Sequence, residues 1–212
     1  MLYNKEICKL RGWRIDMKSK QIYALLLSTT IIASAFPVEA ASYDNVVDAI
    51  KAVNNGTDAS ATYNVTANTN VYDKSDTSTQ YGYGVVNGTL NMAGNGSQTA
   101  NVYGVLNVSP TTTNPNANPK VVITNIGSVD VDSLGSDYSL TVHSKWTNLT
   151  PTEGAPLAAL IVQHGELDIS NSVFAGSRNI SDTTSEKNGG AIQTKGDSIL
   201  KVDGSIFYDN QA

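Results

Sequence analysis

Apolar residues fall at helical spacing once in this chain. Between Ser42 and Gly56, Val46, Val47, Ala49, Ile50 and Val53 form a stripe of the kind a helix buries on one face. Ser42 is placed to cap the N-terminus of that helix, Asp44 lies in its first turn, and Asn54-Asn55-Gly56 ends it. After Gly56 the period falls to two. Short runs rich in Val, Thr, Tyr and Ile, broken by Asn, Gly and Asp, predict β-strands joined by bends.

The runs repeat. Tyr83-Gly84-Val85-Val86-Asn87 returns twenty positions later as Tyr103-Gly104-Val105-Leu106-Asn107. Leu140-Thr141-Val142, Leu167-Asp168-Ile169 and Leu200-Lys201-Val202 share another pattern. The last two copies match further, with Leu167, Ile169, Ser172 and Phe174 aligning on Leu200, Val202, Ser205 and Phe207. Residues i and i+2 of a strand share a face, so Leu200 and Val202 point one way, Asp203-Gly204 bends the chain, and Ser205 and Phe207 share the next face. Units stacked in register place each strand ~4.8 Å from its equivalent and build parallel sheets along a solenoid. Asn210 and its counterparts at the bends are positioned for amide ladders. Trp146 falls where the later units carry Phe, which assigns it to the core. The segments 111–119 and 176–188 read as loops protruding from the shaft, the first because its Asn-Pro steps forbid helix and central strand.

Gly189-Gly190-Ala191-Ile192, followed by Leu200 to Asn210 with Phe207-Tyr208-Asp209-Asn210 inside it, resembles the GGAI…FxxN repeat of polymorphic outer-membrane proteins and so an autotransporter passenger. In the preceding unit the GGAI slot reads Leu160-Ile161, and the FxxN slot reads Phe174-Ala175-Gly176-Ser177, with Ser in place of Asn. The resemblance implies a right-handed parallel β-helix, export through the inner membrane, display at the cell surface by a C-terminal outer-membrane barrel, and a role in adhesion. It also makes the helix at 41–56 an N-terminal cap. On this reading residues 57–155 are irregular β-helix coils with loop insertions, and 156–212 are regular coils. No alternating ten-residue barrel strands follow, so the chain is expected to be the N-terminal piece of a longer protein.

The front of the chain reads as an address. Six basic residues from Lys5 to Lys20 precede an apolar run from Ile22 to Phe36, then Val38-Glu39-Ala40 before Ala41. That is a signal peptide cleaved after Ala40, its apolar run shorter than the ~20 residues of a membrane-spanning helix. Translation can start at Met1 or at Met17, where Met17-Lys18-Ser19-Lys20 already supplies a basic segment. General-secretion export to the outer membrane, cell surface or medium follows. The single cysteine, Cys8, lies in the removed part, so the exported chain has no disulfide to form.

Charge narrows the partners. Six of the 14 basic and three of the 19 acidic residues precede Ala41, so the exported part carries a net charge of −8, which argues against nucleic acid. Charged residues make up only 16% of the chain, and aromatics 7%. Catalytic constellations are sparse. Asp130 and Asp132 are spaced i, i+2 and read as a solvated strand face rather than a glycosidase pair. His143 and His164 are the only histidines, and His164 reads as the end of a strand at a turn. Arg178 is the one arginine after the signal segment. Tyr81, Tyr83 and Tyr103 flank glycines and suit either packing between neighbouring coils, the weightier reading, or stacking on sugar rings. The chemistry therefore points to a binding or structural segment that contacts a host or cell-surface protein or glycan, with no cofactor and no turnover. The competing class is a β-helical carbohydrate-active enzyme.

Overall fold

The computed structural model describes residues 8–10, 13–15, 40–73, 75–79, 81–96, 99–148, 157–179 and 189–212. The signal-peptide reading of residues 1–40 lies almost wholly outside them. In the unit Met1–Glu39 the described part is an antiparallel pair, Cys8–Leu10 (β1) with Trp13–Ile15 (β2). Most of the loop expected at 176–188 is likewise outside the described residues.

The unit Ala40–Ala212 is all-β apart from one described helix. It opens with Ala41–Tyr43 (β3) and the helix Val46–Asn54 (α1). The chain then passes through three strands in turn, Ser60–Asn64 (β4), Thr69–Asn70 (β5) and Gly82–Val85 (β6). A second circuit repeats them as Thr89–Ala93 (β7), Val102–Tyr103 (β8) and Val105–Val108 (β9). The third begins with Lys120–Thr124 (β10), leaves through a hairpin of Ser128–Leu134 (β11) and Asp137–Ser144 (β12), and resumes at Trp146–Thr147 (β13) and Leu160–Gln163 (β14). The fourth is Glu166–Ser170 (β15), Val173–Ala175 (β16) and Ile192–Lys195 (β17), and a fifth starts with Ile199–Asp203 (β18) and Ile206–Tyr208 (β19).

Each circuit lays its strands beside those of the one before, giving three sheets: β3-β4-β7-β10-β15-β18, β5-β8-β13-β16-β19 and β6-β9-β14-β17. All pairings in them are parallel. Because register is kept, apolar side chains stack in columns. Ala61, Leu90, Val121, Leu167 and Leu200 form one, and Tyr63, Met92, Ile123, Ile169 and Val202 the next. Val102, Trp146, Phe174 and Phe207 form a third, on the second sheet. Its rings stack with centroids 5.9 Å apart for Trp146 and Phe174 and 5.3 Å for Phe174 and Phe207. Leu106, Leu160 and Ile192 run along the third sheet. Most of these residues belong to one shared core, and Trp146 lies in it as its place in the repeat indicated.

Four details depart from the sequence reading. The helix expected over 41–56 starts at Val46, with Asn45 as its cap, whose Oδ1 accepts from the Val47 amide at 2.7 Å. Ser42 instead sits in β3, because Ala41 and Tyr43 extend the first sheet by pairing with Ala61 and Tyr63. The twenty-residue match is not the register: Tyr83 pairs with Leu106, three positions beyond Tyr103. Tyr103 ends β8 just before a bend at Gly104, where φ is 114°, whereas Tyr83 lies within β6, so the two copies of the motif occupy different corners. Leu140 and Val142 belong to the hairpin, opposite Val131 and Val129, and the partners of Leu167 and Ile169 are Val121 and Ile123. The slot equivalent to Ala191-Ile192 is Ala159-Leu160, one residue earlier than Leu160-Ile161.

Candidate functional site

The repeat-motif residues explain themselves through hydrogen bonds between circuits. Asn210 reaches back one circuit, its Oδ1 accepting from the Ser177 amide at 3.0 Å and its Nδ2 donating to the Phe174 carbonyl at 2.8 Å. Ser177 occupies the same slot below and accepts from the Asn148 amide through Oγ at 3.1 Å. Ser177 Oγ takes the acceptor half of that role, but its short side chain has a single polar atom where Asn210 has two, one accepting and one donating to the Phe174 carbonyl. Ser172 and Ser205 do the same at the preceding bend: Ser172 Oγ accepts from the Ile126 amide and Ser205 Oγ from the Ser172 amide, both at 3.1 Å. These bends are tied by side-chain oxygens accepting backbone N–H groups, and before β5 and β8 Asn68 Oδ1 accepts from the Asn101 amide at 2.8 Å with Asn101 Nδ2 3.5 Å away, an amide-to-amide contact between circuits. Gly189 has φ of 71°, and a Cβ on Gly190 would run into the backbone of Gln211, so both glycines of the motif are sterically required.

The polar residues singled out for chemistry lie apart. Asp130 and Asp132 sit on the exposed hairpin, where Asp130 Oδ2 lies 2.6 Å from His143 Nε2. His164 directly follows β14 at a positive φ of 53°, as a turn residue should, and its Nδ1 bonds Asp197 in the next circuit. That bond holds the Asp197 carboxyl below its ordinary range. Arg178 reaches Asp209 at 3.4 Å and bridges to Gln211. On the outer face of the first sheet, Glu166 is bonded by both Lys120, at 3.0 Å, and Lys201, at 2.6 Å. Lys201 first and Lys120 second hold its carboxyl below the usual glutamate range.

Of the three tyrosines, Tyr83 packs against the main core, and Tyr81 packs on a small outer cluster of Val105, Ala158 and Ile161. Tyr83 also lines a concavity of about 640 Å³ beside the helix, together with Tyr63, Tyr72, Asp44, Asp48 and Asp73. Tyr63 forms part of it with its hydroxyl bonded to Thr69 Oγ1 at 2.8 Å. Ser75 donates to Asp73 Oδ1 from its hydroxyl and its amide, at 2.6 and 2.9 Å, which keeps that carboxyl ionised well below the ordinary aspartate range. The sequence reading missed this cleft. Its residues come from three separated segments, and only the docking of α1 on the end of the core brings them together.

No protein-family model, no curated protein and no solved structure matches the chain.

Proposed function

We propose that residues 41–212 are a helix-capped, right-handed parallel β-helix that forms part of an adhesin-like passenger, exported by the general secretion pathway. In the longer parent protein an outer-membrane barrel would hold the shaft at the cell surface, and loops projecting from it would meet a host or cell-surface protein or glycan. The role is binding and structure rather than turnover. One observation carries the reading. The two units that bear the GGAI…FxxN resemblance lie in register thirty-three residues apart, Leu167 on Leu200, Ile169 on Val202 and Phe174 on Phe207. The motif Asn210 ties one to the other. A cyclic order of three parallel sheets supports a solenoid, and a right-handed path is the rule for parallel crossovers. The helix supports the cap, since Val46, Ala49, Ile50 and Val53 join the end of the core.

Cell fractionation tests the proposal. Bacteria expressing the full-length gene should carry the segment at the surface or in the medium, with an N-terminus at Ala41 and sensitivity to protease added outside. A product that stays in the cytoplasm with residues 1–40 attached would refute it.

A further inference from the structure

We propose that the cleft beside α1 is a binding site for neutral sugar rings at the end of a glycan. This deepens the adhesin-like reading and rests on it for its biological setting. The volume, about 640 Å³, lies within the ~300–1,000 Å³ of small-ligand sites. Tyr72 and Tyr83 are half-buried and line the cleft. A tyrosine ring presents an apolar face with a polar tip, which suits the C–H face and the hydroxyls of a pyranose. Asp44 and Asp48, both exposed, add carboxylates that accept hydrogen bonds from sugar hydroxyls, and Asn70 adds an amide able both to donate and to accept.

Charge selects among sugars. Among the described lining residues Asp44, Asp48 and Asp73 stand with one lysine, Lys51, and these carboxylates would repel a sialylated, uronic or phosphorylated ring. Among the described residues no cluster of three or more His, Cys, Asp or Glu is arranged to hold a metal ion. A free polyamine could profit from the same charge. Its binding would be driven by charge and would fade with salt, unlike that of a neutral sugar.

Titration calorimetry and saturation-transfer NMR on the purified full chain test the site, with lactose and cellobiose as neutral probes, sialyllactose as the acidic one and spermine as the cationic one. The neutral sugars should bind, insensitive to salt, and sialyllactose should bind more weakly. Asp48→Asn and the conservative Tyr72→Phe should each weaken neutral binding about three- to tenfold, with circular dichroism showing that each variant remains folded. Absence of neutral binding, a preference for sialyllactose, salt-sensitive capture of spermine alone, or neutral binding indifferent to both substitutions would each overturn the proposal. Fractionation and titration fail separately: a surface protein that ignores sugars sinks only the site, and a cytoplasmic protein that binds them sinks only the passenger.

Discussion

Asn125, Asn171 and Gly204 occupy one corner in three successive circuits, each just after its strand of the first sheet, with φ of 53°, 47° and 53°. Left-handed backbone is costly for most L-residues, and Asn and Gly are the ones that visit it routinely. Gly204 has a second reason to lack a side chain, because a Cβ there would lie 2.5 Å from Asn171 Oδ1. One corner thus records both backbone conformation and the neighbour beneath. Glu166 shows the electrostatic counterpart. Its side chain is only 15% exposed, and it accepts from two lysines of adjacent circuits. Glu166→Gln should lower stability by about 1 kcal/mol at neutral pH. The sign of the pH dependence follows from the depressed folded value: the carboxylate's contribution is present above the ordinary glutamate pKa of about 4.3 and is lost as pH falls through the lower folded value. Urea unfolding of both forms should therefore show a gap at pH 7 that narrows as the pH is lowered below the ordinary glutamate range. An equal gap at every pH would place the effect in packing instead.

Elements differ in how they are held. The aromatic column gains from stacking on both sides at Phe174, which is fully buried between Trp146 and Phe207, while Phe207 is 43% exposed. Phe174→Ala should cost about 3–5 kcal/mol, the range for a buried ring that leaves a cavity. Phe207→Ala should cost about 1–2 kcal/mol, since less apolar surface leaves water there. Chemical denaturation that found the two equal, or reversed, would contradict the column. The hairpin β11–β12 is the opposite case. It pairs with itself alone, its tip residues Val131 and Tyr138 are exposed, and its base is closed by Ser128 and Ser144 with their hydroxyls 3.2 Å apart. Replacing 129–143 with a short Gly-Ser turn should leave the circular dichroism of the remaining strands intact and move the melting temperature by less than about 4 °C, roughly 1 kcal/mol for a domain of this size.

How far the sequence disclosed these elements depended on insertions. The last two units were readable because thirty-three residues separate every matched pair from Leu167 to Phe207, so sequence alignment and spatial register coincide. One circuit earlier the spacing widens to forty-six, as the excursion 128–144 falls between β10 and β13. The hairpin's own Leu140 and Val142 then imitated the repeat. A local signal was present: Gly135-Ser136, with φ of 68° at Gly135, between alternating runs marks a two-residue turn. The cleft gave no such signal, because Asp48, Tyr72 and Tyr83 share no period and meet only after α1 docks.

At the scale of the whole molecule, stability should be graded along the stack. In a chain of repeats each unit is stabilised by its own structure plus the interfaces with its two neighbours. β10 has both, with β7 on one side and β15 on the other, and its inward Val121 and Ile123 are fully buried. β18 and β19 have one each among the described strands, and the inward Leu200, Val202 and Phe207 remain 40%, 44% and 43% exposed. At the opposite end the same apolar columns are covered, because α1 contributes Val46, Ala49, Ile50 and Val53 to the core. Within the segment Ala40–Ala212 taken by itself, the asymmetry makes β18 and β19 the least firmly held strands, and any further circuit stacked on them would raise their protection. Native-state hydrogen exchange reads this directly: amides of β18 and β19 should exchange through openings at least about 2 kcal/mol easier than those protecting β10, with β15 and β16 between them. The gradient arises only if the circuits are separable units stacked in one dimension. Uniform protection from β4 to β19 would mean that the three sheets open as one block, and the solenoid account of this fold would then have to be abandoned.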